Sequence, residues 1–435
     1  MNEQGQLAWI DAHVARTTQV WRHSAALQPR PGPRYSVRDH QSRERAYDAA
    51  LHAVEHEADA TPPTASGRAA TQRRLLATFA RFAANALDLD ARTTGLLTDL
   101  FLPAGIQFAR SARSFDPAIS REDTIQACRN AWTACGLQPL LGAAASVTPS
   151  ILAYSLLYPY SDNYLDAAGV STADKLAFSR RFRERLRGAI LPSLNLRESC
   201  VWSLVAMIES QYPRAQFPLV YDCLLAIHHA QEDSLAQLNR DTLLADGDLL
   251  QLSFAKGGAS VLADACLARG SMTPDEARFA FEWGALLQLG DDLQDVRGDL
   301  LRDSSTLFTR AIAQGLPLDC LVTQLLVFCD QVAARMNRLA HGPQRLKDLL
   351  RISWRSLILS AIAEAHQFFT PAFVSECEQL SPFRFDFLRE RRTRLATRQG
   401  LYSTLFDLFV DSPGPAAVPS SPRITSAAPC LESVI

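Results

Sequence analysis

The segment Gly290-Asp291-Asp292-Leu293-Gln294-Asp295-Val296-Arg297-Gly298-Asp299 places four carboxylates at the end of an apolar run, Phe279 to Leu289. At about 100° per residue on a helix, Asp291, Asp295, Asp299 and Asp292 project at roughly 0°, 40°, 80° and 100°, inside one arc. Like charges so spaced cost roughly 0.2–0.5 kcal/mol per pair on an isolated helix, and more where water is scarce. A cation relieves that repulsion. Hard divalent ions such as Mg2+ take carboxylate oxygen, keep part of their water and are completed by substrate phosphates. These residues are therefore expected to hold Mg2+ for a diphosphate. The competing reading is a solvated acidic face. Against it, the same face one and two turns upstream carries Leu287, Gln288 and Gly284, with Trp283 at its edge and no charge. That is the pattern of an apolar pocket wall with a polar mouth.

A second stretch repeats the logic. The apolar and aromatic run Ile151 to Leu165 contains Asp162 and ends at Asp166, two carboxylates four residues apart. A single DxxxD is a weak signal, but two apolar helices each ending in aligned acids can face one another in an antiparallel bundle. Between them, Lys256-Gly257-Gly258 interrupts an apolar helix. Adjacent glycines weaken a helix by roughly 1 kcal/mol each, which implies a kink or a close backbone approach. Lys256 beside such a break is placed to meet a phosphate, the alternative being an exposed lysine next to a packing glycine. Pro159 is expected to kink the first acid-bearing helix just before its acids.

The elements that must position these residues read as helices. From Arg68 to about Val410 segments of helical periodicity are punctuated by Pro, Gly and polar turns, and strand signals are almost absent. Thr273-Pro274-Asp275-Glu276 has the form of a capped helix start and opens the helix that ends in the acid cluster. The expected organisation is a loosely structured N-terminal extension over 1–66, a helical domain over 67–410 and a disordered tail over 411–435, which is rich in Pro, Ser and Ala. The 435 residues are 47% hydrophobic and 21% charged with a formal net charge of -2, enough for a large core and without an electrostatic case for nucleic acid. Nine scattered cysteines lack metal or disulfide spacing and fit a reducing, cytoplasmic setting; there is no apparent signal peptide and no run of eighteen apolar residues to span a membrane.

Asp162 to Asp166, Lys256-Gly257-Gly258 and Asp291-Asp292-Leu293-Gln294-Asp295 stand in the order and at the approximate separations of class I isoprenoid synthases, the trans-prenyltransferase and terpene cyclase superfamily. The chain resembles that superfamily over roughly residues 120 to 310. The resemblance implies an all-α fold, a single large helical bundle of the isoprenoid synthase type around a central cavity. It implies two aspartate-rich helices that bind three Mg2+ with the substrate diphosphate. The first motif falls on Asp162 and Asp166 and the second on Asp291, Asp292 and Asp295, or on Asp291, Asp295 and Asp299 in the cyclase register. Asp162 and Asp291 are the expected catalytic pair, with Lys256 and Arg297 on the diphosphate and Tyr158 and Leu287 on the hydrocarbon, beside Tyr154 and Trp283. The aromatic residues have a plainer alternative as core.

The reaction so implied is ionisation of a linear prenyl diphosphate to a carbocation, as in a terpene synthase. The elongating enzymes' Arg-Arg-Gly and Gly-Lys-x-Arg segments are missing, and so is the glycine-rich segment of squalene and phytoene synthases, although the basic stretch Lys175 to Arg187 is reminiscent of the latter. Chain-elongating or head-to-head prenyl transfer, and a non-catalytic prenyl diphosphate-binding homologue, stay as alternatives; homodimer formation is left open. Two further clusters have bland readings: His228-His229 with Glu232 as a bundle surface in place of a metal site, and Arg389-Glu390-Arg391-Arg392-Thr393-Arg394 as a solvated basic face in place of a lid over diphosphate.

Overall fold

A computed structural model describes residues 3–62, 64–166, 169–234 and 245–410, with the side chains of Asp162 and Asp166 outside the description. The expected disordered tail, 411–435, also lies outside the described residues. All regular structure among the described residues is helical. The helices are α1 (Glu3–Ser24), α2 (Val37–Asp59), α3 (Ala65–Leu87), α4 (Ala91–Leu96), α5 (Leu102–Phe115), α6 (Arg121–Leu140), α7 (Pro149–Asp166), α8 (Thr172–Leu186), α9 (Leu196–Gln211) and α10 (Pro218–Ser234). They continue as α11 (Asp246–Arg269), α12 (Pro274–Gln294), α13 (Val296–Arg302), α14 (Leu307–Ala313), α15 (Asp319–Arg338), α16 (Gln344–Glu364), α17 (Pro371–Glu378), α18 (Phe385–Ala396) and α19 (Gln399–Val410). None is long and apolar enough to cross a membrane.

The bundle is built around α11, which is buried on nearly every side from Leu249 to Ala268. A helix apolar all round has to sit at the centre. It is flanked by α6, α7, α10 and α12. Its closest neighbour is α12, because Gly257 and Gly284 lie back to back: a Cβ on Gly257 would stand 2.4 Å from the Gly284 carbonyl oxygen. The two glycines are there for a backbone crossing. Of the two expectations for this glycine pair, a kink or a close backbone approach, the structure shows the close approach, with α11 assigned as one helix through Lys256-Gly257-Gly258. Likewise α7 continues through Pro159 as one helix. The start of α12 forms as its sequence implies: Thr273 Oγ1 accepts from Glu276 N at 3.3 Å and Glu276 Oε2 from Thr273 N at 2.8 Å.

The N-terminal segment is a correction to the expected loose extension. Ile10, Val14 and Trp21 of α1 are buried in the main core, His13 stacks on Phe281, and Trp21 packs edge-on against Phe254 and Phe328. Their spacing of four and seven makes one apolar stripe on α1, and α11, α12 and α15 cover it. Polar ties extend the attachment, with Arg30 N donating to Asp330 at 2.7 Å and Arg384 gripping buried Glu44 of α2.

Candidate functional site

Three ties set the direction of the acid-bearing helices. Ser253 of α11 donates to Asp292 at the end of α12 (2.8 Å), while Arg269 at the other end of α11 pairs with Glu276 at the start of α12, so these two helices are antiparallel. The Tyr154 hydroxyl of α7 donates to Ser260 O (3.2 Å). At the N-terminus of α7, Ser150 N donates to Gln211 (3.0 Å), beside Tyr212, which donates to Leu267 O. Hence α7 also runs opposite to α11. Both acid-bearing helices therefore run the same way, and their C-terminal ends lie at one end of the bundle. The expected antiparallel arrangement would have separated them.

At that end the helix axis is nearly continuous. Asp295 ends α12 and begins α13, and Asp295 N and Asp299 N still donate to Asp291 O and Asp295 O at 2.9 Å each. The four carboxylates differ in their surroundings. Asp292 is buried, accepting from Ser253 Oγ and Gln288 Nε2 at 2.8 Å each. Burial pushes its carboxyl pKa up to about 6 against the pull of Gln288, Ser253 and Lys256. Asp299 is buried and paired with Arg302 (2.9 Å); burial raises its pKa while Arg302 opposes. Asp291 and Asp295 are open to solvent. Asp291 nevertheless has burial as the first cause of a pKa raised to about 6, followed by repulsion from Asp292, the opposing pull of Arg129, and repulsion from Asp295. A carboxyl that is both accessible and deep is a recessed one. Among the described residues no three His, Cys, Asp or Glu side chains stand close enough to hold an ion together.

These donors fit Mg2+ in part. Asp291 and Asp295 are hard oxygen ligands at helical i, i+4 spacing with surplus negative charge; Asp292 and Asp299 are already engaged, Asp292 as the residue that locks α12 to α11. Lys256, half-buried on α11, lies in electrostatic reach of Asp291, Asp292 and Asp299. Arg129 of α6 is also in electrostatic reach of Asp291. Sequence reading missed Arg129, because nothing in the neighbourhood of residue 129 marks it; only packing brings α6 to the end of α12. Arg297 is exposed beside the cluster. Asp162 and Asp166 end α7, and the positions of their carboxylates lie outside the described residues.

The expected hydrocarbon-facing residues divide. Tyr158 is exposed and Leu287 half-buried. Tyr154 and Trp283 are core: Trp283 packs against Phe279 and Trp354, ring centroids 5.6 and 5.2 Å away. Two surface grooves, of about 330 and 450 Å3, lie elsewhere, the first between α1 and the start of α11, the second between α3 and α4.

The bland clusters also resolve. His228 is buried rather than on a surface, contacting Ser179 O at 3.1 Å, and burial drives its pKa down to about 4, so it is a neutral core histidine. Three of the four arginines of α8 are committed: Arg181 to Glu198, Arg183 to Glu232 and Arg185 to Glu209. Those of α18 form a clamp, with Arg391 on Asp48 of α2 (2.7 Å), Arg392 on Glu364 and Arg394 on Glu55. Arg392, Thr393 and Arg394 remain on an exposed face, as the bland reading expects, while Arg391 is half-buried against Asp48.

Comparison of the chain with protein-family models, curated proteins and solved structures gives no match.

Proposed function

We propose that this chain is a class I isoprenoid synthase of the terpene synthase type, which ionises a linear prenyl diphosphate to a carbocation and releases diphosphate. The observation that supports this most is the convergence at one bundle end: two acid-bearing helix termini, Asp291 and Asp295 open and without an ion pair among the described residues, with Lys256 and Arg129 in electrostatic reach of Asp291. Diphosphate is the ligand that uses both signs of charge. Asp291 and Asp295, with Asp162 and Asp166 of α7, would hold Mg2+, which when bound neutralises charge growing on the leaving diphosphate. Lys256 and Arg129 would bind its remaining oxygens. Asp292 holds α12 in register through Ser253. The bundle fold is then of the isoprenoid synthase type, and Leu287 and Tyr158 flank the chain of the substrate.

A single diphosphate fits better than two. Apart from Arg180, the arginines of α8 and α18 that could serve a second one are tied into ion pairs, which disfavours head-to-head coupling and elongation. The non-catalytic binding homologue draws support from Asp299, which is taken up by Arg302. The deciding experiment incubates the protein with Mg2+ and farnesyl, geranylgeranyl or longer prenyl diphosphates, with and without isopentenyl diphosphate, and follows released diphosphate and extractable hydrocarbon. Turnover of one allylic substrate alone is expected. Product only with isopentenyl diphosphate would make the chain a prenyltransferase; Mg2+-dependent binding without any product would make it the binding homologue.

A further inference from the structure

The connection from α8 to α9 ends beside the acid-bearing tip of α7, where Arg197 donates to Tyr160 O at 3.4 Å and lies 4.4 Å over the Tyr164 ring. On it Ile190 is 100% exposed and Leu194 70%, and Leu196 at the start of α9 is 50% exposed. Looseness does not explain this. Ala189 N donates to Glu184 O (3.0 Å), Arg181 to Pro192 O (2.6 Å) and Leu194 N to buried Glu198 (2.8 Å), while Asn195 caps α9. The loop is fixed by hydrogen bonds to residues on both of its helices, so its three aliphatic side chains are held in water by construction. Large apolar groups held out in this way mark an interaction site.

The flanks are basic. Residues 172–198 carry seven Lys and Arg against three Asp and Glu, in a chain of net charge -2. Arg181, Arg183 and Arg185 are spent on holding α8 to α9 and α10. Lys175 and Arg180 have no ion pair among the described residues, and Leu176 beside them is 52% exposed.

We propose that this loop, through its exposed aliphatic side chains and the uncommitted Lys175 and Arg180 of α8, docks on an anionic lipid surface. Such surfaces take up projecting aliphatic side chains at the boundary of headgroup and acyl chain, and attract Lys and Arg just outside it. A protein partner would be better matched by a flatter patch with aromatic residues at its centre. Docking through Leu194 and Leu196, which adjoin Arg197 at the acid-bearing tip of α7, sets that end of the bundle toward the bilayer. The inference stands on the loop itself and does not depend on the reaction proposed above.

The test is sedimentation of the full chain with phosphatidylcholine vesicles, with and without phosphatidylserine, at low and high salt. Wild type is expected to pellet with the phosphatidylserine vesicles and to be released by salt. Ile190→Glu and Leu194→Glu should each lose affinity by about tenfold or more, with unchanged thermal unfolding because both side chains are exposed. Val37→Glu, at a 69% exposed position outside the loop, should bind as wild type. Absence of wild-type binding, equal binding to neutral vesicles, or equal binding by the loop variants would overturn the proposal. So would concentration-dependent self-association that Ile190→Glu abolishes, which would make the loop a protein interface.

Discussion

Glu282 and Asp291 stand on the same helix, nine residues apart, and have opposite fates. Glu282 is 1% exposed and held between Arg278 at 3.0 Å and Arg335 at 2.5 Å. Asp291 has two other carboxylates, Asp292 and Asp295, for neighbours, and among the described residues Arg129 and Lys256 act on it without an ion pair. A charge whose partners are supplied by the fold is part of the fold. A charge left in surplus at a recessed position costs stability, and its retention there points to a ligand that brings the missing counter-charge. The same contrast separates the arginine clamp of α18 from the acidic end of α12, although as strings of letters both are charge clusters.

The contrast can be broken most severely at Glu282. Replacing it with Gln leaves the half-buried Arg335 against a neutral partner, and the loss of stability is expected at about 3 kcal/mol, read by denaturant unfolding. Turnover per folded molecule should stay near wild type. Asp291→Asn should do the reverse. Turnover falls by about 10²–10³-fold, the loss typical of removing one group that stabilises transition-state charge. The thermal midpoint at pH 7 does not fall, because a repelled charge has been removed. If Asp291→Asn unfolds the protein, or Glu282→Gln abolishes turnover in folded protein, the division between structural and functional acids fails. The effect of Gly257→Ala lies between the two regions. Its methyl group would meet the Gly284 carbonyl at 2.4 Å, so α11 and α12 must part, at about 1–3 kcal/mol. Lys256 moves with α11, so a raised KM for the prenyl diphosphate should accompany the lost stability.

Much of this arrangement was legible in the chain because it is local. Helical periodicity, the capping box at Thr273 and the alignment of Asp291, Asp295 and Asp299 follow from spacing alone, and the glycine pair announced a special contact. What spacing could not supply was the partner. Whether Gly257 meets a kink or another backbone depends on Gly284 arriving opposite it. Whether Arg391 is solvated depends on Asp48, more than 300 residues away in sequence. Arg129 carries no local mark, and the stripe Ile10-Val14-Trp21 gives no sign that α11 and α15 will cover it. The direction of α7 relative to α12 is equally a tertiary fact, settled by hydrogen bonds to α11 that no motif encodes.

The smallest effect is expected deeper in the core, where the contrast reappears without a functional claim. Asp264 is fully buried, accepts from Asn130 at 2.9 Å through one oxygen and has no partner for the other. Burial raises its pKa well above the ordinary value of 3.8, and the Asn130 hydrogen bond only partly opposes this. Below that ordinary value the carboxyl is protonated in both folded and unfolded chains, and pH has no leverage. As pH rises through it, the unfolded chain releases the proton while the folded protein keeps it, so stability declines until the folded carboxyl ionises too. Asp264→Asn retains an oxygen for Asn130 and cannot titrate. Its thermal midpoint should therefore match wild type near pH 4 and exceed it by a margin that widens toward neutrality. A margin independent of pH would mean that a cation, absent from the surroundings of Asp264 as it is present beside Glu282, compensates this carboxylate after all.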